Sequence, residues 1–168
     1  FIPDTAGIYL VGLTVNDGKV SSPVAIATIN ASNSNLSITQ TSYANGGSIP
    51  IRLAATGVGG SNLSTQISIG DIPTATKRFA IVMDDETGLC QPGLGACRHW
   101  GVFNIPVAKI LITEGENLLL QQGVVYGSNY TGSVGYLGPN STSGHTYKLT
   151  VYALSADAPF VTGVPEYN

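Results

Sequence analysis

Beyond residue 36 this chain never runs far without a Gly, Pro, Asn or Ser. Together these supply 21, 9, 11 and 15 of its 168 residues. A Gly inside a helix costs about 1 kcal/mol against Ala and a Pro about 3 kcal/mol, so such punctuation favours short strands joined by turns. Phe79 to Met83 is a nearly continuous apolar run of buried-strand type, and Gly101 to Ile105 and Leu149 to Leu154 read as further strands. Only Val107 to Gln122 could be helical, and Gly115 interrupts it. The expected fold is all-β, a two-sheet antiparallel sandwich with at most one or two short helices.

Composition narrows the function. Hydrophobic residues make up 43%, enough for a core, but charged residues only 10%, against about 25% in an average chain. Polarity comes from 15 Ser, 16 Thr and 11 Asn. A net charge of −3 with scattered cations argues against nucleic acid or an anionic membrane as partner. No apolar run approaches the roughly 20 residues of a membrane span. The pattern suggests a β-rich protein of the extracellular space or cell surface. The chain opens on Phe1, without a basic-then-apolar leader, which suggests that a leader or a larger upstream region has been removed. Five Asn-x-Ser/Thr sites, at Asn30, Asn35, Asn62, Asn129 and Asn140, could accept glycans in a glycosylating host.

Cys90 and Cys97 share a Gly/Pro-containing loop. A local disulfide is the simpler reading for a secreted chain. The metal reading adds His99 as Cys-x6-Cys-x-His, a spacing that matches no common zinc pattern and lacks a fourth ligand. No cofactor is expected.

Residues 1–31 read as a separate β-hairpin. Ile8 to Val15 alternates, Asn16-Asp17-Gly18-Lys19 is a turn signal, and Val20 to Ile29 is a second extended run. The stretch resembles the last two strands of a PKD-type immunoglobulin-like domain, through Phe1-x-Pro3-Asp4-x-x-Gly7-x-Tyr9, Leu13-Thr14-Val15-Asn16-Asp17-Gly18 and Ser21-Ser22. A lone hairpin is marginal in water, so it must dock on something. Residues 32–37 are a linker, 38–158 the main domain, and 159–168 a short tail.

The main domain carries His99-Trp100 at the start of one strand, His145 entering another, and Asp84-Asp85 ending the run from Phe79. Polar groups where buried strands end, beside Gly-rich loops, suit a small ligand site. Trp100 reads as core or pocket wall, and Asp84 as a turn acid. These residues sit within a longer series. It comprises Ile49-Pro50, Lys77 to Asp85, His99 to Pro106, Gly123, Asn129, Gly135-Tyr136-Leu137-Gly138-Pro139 and Gly144-His145-Thr146-Tyr147. The series resembles the phosphatidylethanolamine-binding proteins, or Raf kinase inhibitor-like proteins, in their bacterial and archaeal branch, over about residues 36–158.

The resemblance implies a β-sandwich with a small anion pocket built from Asp85, His99, Gly138, Pro139, His145 and Tyr147. Imidazoles, a phenol and backbone N–H groups can all donate to a phosphate or carboxylate. A neighbouring Asp can fix a histidine tautomer and raise its pKa, so binding should strengthen toward pH 6. The family's Asp-Pro-Asp reads Asp85-Glu86-Thr87 here, and its His-Arg-Tyr reads His145-Thr146-Tyr147. One acid and one base have gone, as if they were partners. A catalytic reading would pair Asp85 with His99, but no nucleophile motif accompanies them, so no enzymatic activity is expected. Two functions follow. One is an extracellular, non-enzymatic module for a small anionic ligand. The other is a structural subunit that self-associates into a filament or oligomer by β-strand complementation through residues 1–31.

Overall fold

A computed structural model describes residues 7–13, 23–31, 36–88, 90 and 96–158. The chain separates into two compact units, Phe1–Asn35 and Leu36–Asn168. In the first, β1 (Gly7–Leu13) pairs antiparallel with β2 (Ala25–Ala31), from Gly7↔Ala31 to Leu13↔Ala25. The turn expected at Asn16–Lys19 lies outside the described residues, as does the tail from 159.

The second unit holds two antiparallel sheets. One has the order β3-β4-β7, from Ser37–Thr39, Ile67–Gly70 and Leu111–Ile112. The other has the order β8-β6-β5-β9. Its strands are β5 (Arg78–Asp85), β6 (Cys97–Pro106), β8 (Val125–Tyr126) and β9 (Tyr147–Leu154). One apolar cluster draws on both sheets. Ile67, Ile69 and Ile112 come from the first, and Phe79, Ile81, Met83, Trp100, Val102 and Ile105 from the second. Fully burying each large member contributes about 1.5–3 kcal/mol. The strand expected at Phe79–Met83 is central in its sheet and buried almost throughout, which is why its sequence hardly alternates.

No described helix reaches two turns. Regular helical structure among the described residues is limited to 3-10 turns at Ile51–Leu53, Thr56–Val58 and Leu118–Leu120. The window 107–122, expected to hold the helix, instead gives β7, a turn and one of these. Gly115 takes φ +71°, and Glu116 accepts hydrogen bonds from the backbone N–H and hydroxyl of Thr113. Local side-chain bonding of this kind competes with a helix and here replaces it. No helix among the described residues is long and apolar enough to cross a membrane.

Two irregularities in the β5–β6 ladder place the site. Met83 pairs with Trp100 but Asp84 pairs with Arg98, so His99 is an extra residue on β6, a β-bulge. Bulges re-aim side chains, and His99 and Trp100 are both buried although adjacent. The other irregularity lies between Phe79 and Ile81. Opposite it, Asn104 takes φ +59° and exchanges two hydrogen bonds with the backbone of Ala158.

Candidate functional site

Asp85 ends β5 with Cys97 opposite on β6 and Tyr147 opposite on β9. This row of three, with the His99 bulge beside it and His145 just before β9, is the centre of the site. The Cys90–Cys97 disulfide forms, with Cα atoms 5.1 Å apart. It takes both thiols, so the Cys-x6-Cys-x-His metal reading fails for want of ligands. No group of three or more potential metal-ligating side chains occurs among the described residues.

The carboxylate of Asp85 is fully engaged. Oδ2 lies 2.6 Å from Nδ1 of His145, and Oδ1 accepts the N–H groups of Thr87 at 2.9 Å and Gly88 at 3.0 Å. Burial alone would raise its pKa, but the bond from His145 and the two N–H groups outweigh it and hold the carboxyl below its ordinary value. Asp85 therefore orients His145 and not His99, the partner that a catalytic pairing would need. Asp84 pairs with Arg98 at 3.5 Å, and burial raises its pKa.

His99 is 1% exposed, and its Nδ1 meets the carbonyl of Leu137 at 2.8 Å. With Nδ1–H donating to that carbonyl, Nε2 is the atom left to accept. Burial pushes the imidazole below its ordinary pKa despite the Leu137 carbonyl and the Asp85 charge. A raised histidine pKa was expected from the sequence; for His99 the direction is the reverse, because desolvation dominates.

Tyr147 stands between the imidazoles. Its ring meets His99 edge-on at 5.1 Å and stacks with His145 at 6.4 Å. Its hydroxyl is buried and has no partner at full hydrogen-bonding geometry, although the Asp85 carboxylate and the Asn140 backbone both act on it. Burial, then the negative charge of Asp85, push the phenol up to about 12.

Gly138 and Pro139 serve the site differently from expectation. The Gly138 N–H donates to Oδ1 of Asn62 at 2.7 Å, so it is not open to a ligand. A Cβ on Gly138 would stand 2.2 Å from the Leu53 carbonyl oxygen. Its lack of a side chain is what lets the loop close. Pro139 accepts the Ala55 N–H at 3.0 Å, and its side of the loop lines an open cleft of about 870 Å³ with His145 and Tyr147. Asp85, His99 and Gly138 stand outside that lining.

Sequence reasoning missed Tyr130, whose ring lies 5.1 Å from that of His99, and Asn62. Asn62 had drawn notice only as a glycan acceptor. Its amide is bonded to both Gly138 and Tyr136, and that of Asn129 reaches the Gly135 carbonyl from a buried position. Trp100 is core, meeting Tyr136 edge-on at 5.6 Å. The two positions that lack the family's acid and base touch each other. The Thr146 N–H donates to Oγ1 of Thr87 at 2.9 Å.

The family model described as phosphatidylethanolamine-binding protein matches residues 39–167. The chain belongs to the phosphatidylethanolamine-binding protein family. Among curated relatives, a UPF0098 protein of Chlamydia muridarum is 29% identical over 133 residues, covering 77% of this chain and 83% of its own. Another, from Methanothermobacter thermautotrophicus, is 33% identical over 111 residues, covering 64% and 69%. A third, from Aquifex aeolicus, is 33% identical over 103 residues, and the chain spans 58% of that protein's length. The crystal structure of Escherichia coli YbcL, described as a new member of the mammalian PEBP family, superposes with a TM-score of 0.65. Its identity is 26%, with coverage of 75% of this chain and 80% of that one.

Proposed function

We propose that the Leu36–Asn168 unit is an extracellular or cell-surface, non-enzymatic binding module that takes a small anionic group, a phosphate or a carboxylate. In this reading the two sheets face each other as a β-sandwich with the pocket at one end. The observation that carries it is Tyr147, whose ring contacts both imidazoles and whose buried hydroxyl has no partner at full hydrogen-bonding geometry. Leaving a buried polar group unsatisfied costs about 1–3 kcal/mol, and such groups are rare unless something else uses them. A ligand oxygen accepting from the phenol would remove that cost. The disulfide supports an oxidising location. The catalytic pairing of Asp85 with His99 is not made, because Asp85 bonds His145 instead, and both cysteines are bonded to each other. Among the described residues neither histidine hydrogen-bonds a Ser, Thr or Cys side chain.

The test is thermal unfolding with and without tens of millimolar phosphate. Protection should appear, and should vanish in His145→Ala. An unchanged melting midpoint counts against the pocket.

A second reading rests on β1 and β2 pairing only with each other among the described residues. As a structural subunit, the protein would lend this hairpin to the sheet of another copy. Light scattering on the intact chain should then show regular oligomers, and a clean monomer would remove the reading.

A further inference from the structure

The cleft beside the site is far larger than an inorganic anion needs. Its volume, about 870 Å³, lies in the range of about 300–1,000 Å³ typical of sites for whole small molecules. Among the described residues its lining contains no Asp, Glu, Lys or Arg. Hydroxyls and amides supply the polarity instead, from Thr39, Asn45, Ser48, Ser141 and Ser143, while the Gln40 amide is taken up by the Tyr43 backbone. The larger aliphatic side chains are few: Ile38, Ile49 and Leu149.

Each feature removes a ligand class. An ammonium head group would need a carboxylate. Asp85, which bonds His145, is buried with both oxygens bonded, and Thr87 stands where the family has its second acid. An acyl chain would need an apolar wall. A polyanion would need cations beyond one imidazole. What remains is a neutral body with many groups that both donate and accept, which is what hydroxyl and amide linings match. Tyr43 and Tyr147 line the same cleft and add aromatic surface to it.

We infer that the cleft takes the polyhydroxyl body of an anionic saccharide, its charged group at His145 and Tyr147 and its hydroxyls along the 39–48 and 141–143 segments. The inference rests on the anion reading above and adds the ligand class. Phosphate and carboxylate are the two possible sources of the charge, so both are probed.

The experiment is calorimetric titration of the intact chain at pH 6.5 with glucose 6-phosphate, glucuronate, inorganic phosphate, acetate and glucose. Two variants fill the cleft along the segment that would hold the sugar body, away from His145 and Tyr147. Asn45→Trp and Ser48→Trp both start from exposed lining residues. Binding of inorganic phosphate by these variants doubles as the check that they fold.

The expected result is that at least one charged sugar binds about tenfold or more tightly than its matched simple anion, the return on one or two net hydrogen bonds. That advantage should disappear in both cleft variants while phosphate binding stays. A preference confined to glucose 6-phosphate or to glucuronate fixes the charged group. Equal affinity of sugar and simple anion overturns the inference and leaves the anion pocket standing. Glucose binding as tightly as the charged sugars overturns both, since the charge is then not recognised. No binding by any probe also overturns both.

Discussion

Tyr147 holds a hydroxyl that the folded chain buries without a partner at full hydrogen-bonding geometry, and this gives a test with an unusual sign. Tyr147→Phe keeps the ring contacts with His99 and His145 but deletes that oxygen. The ligand-free protein should be as stable as the parent or up to about 2 kcal/mol more stable, while phosphate protection is lost. A destabilised variant would mean that the hydroxyl already has a structural use. His99 gives a second test. Burial depresses its pKa below 6.5, so between the folded and unfolded values the unfolded chain binds more protons. Stability from this residue is therefore level above pH 6.5 and falls below it, by at most about 1.4 kcal/mol per pH unit. Asp85 is depressed below 3.8. It adds stability above that value and loses it only as pH falls further toward its folded pKa, a separate window. His99→Asn keeps a donor for the Leu137 carbonyl and does not titrate. Its melting midpoint should drop less than the parent's between pH 7.5 and 5, and parallel curves would refute the assignment. Thr87 and Thr146 form a third pair, since the Thr146 N–H donates to the Thr87 hydroxyl where the family has an acid and a base. Thr87→Asp with Thr146→Arg should be more stable than the sum of the single changes, by about 0.2–1 kcal/mol in a double-mutant cycle.

Among the elements, β5, β6 and β9 were legible because each is a run of apolar residues ending at a polar group: Asp85, His99-Trp100 and Tyr147. The row Asp85, Cys97 and Tyr147 follows once those strands pair. The bulge at His99 was not legible, because a one-residue slip leaves no mark in composition or alternation, only in which neighbour it faces. Nor was the role of Gly138, since a loop glycine beside a proline reads the same whether its N–H is free or taken. The contact between the 50–62 segment and the 136–139 loop decides the matter. It is long-range, carried by Asn62, the Leu53 carbonyl and the Ala55 N–H. Gly138→Ala would force a Cβ to 2.2 Å from a backbone oxygen, so the loop must open. The expected cost is at least about 2 kcal/mol, in the upper part of the overpacking range, with loss of phosphate protection even though the N–H is retained. Full protection in that variant would show that the loop is not part of the site.

For the whole molecule, the question is how a two-stranded unit and a body of two sheets share one chain. Among the described residues the body has one apolar cluster, built from residues between Leu36 and Ala153. A hairpin by itself cannot build one, because two strands have no second layer to bury their apolar faces and such units are marginal alone. Their stabilities are therefore expected to be unequal. A chain beginning at Leu36 should unfold in one cooperative transition, near the midpoint of the intact protein, and should bind phosphate as the intact protein does. If that shorter chain is monomeric while the intact one assembles, the hairpin is the assembling element and the body is its carrier. A shorter chain that precipitates or melts far lower would instead place part of the body's stability in residues 1–35. In that case the hairpin would be a working layer of the same molecule, and the structural-subunit reading would lose its physical basis.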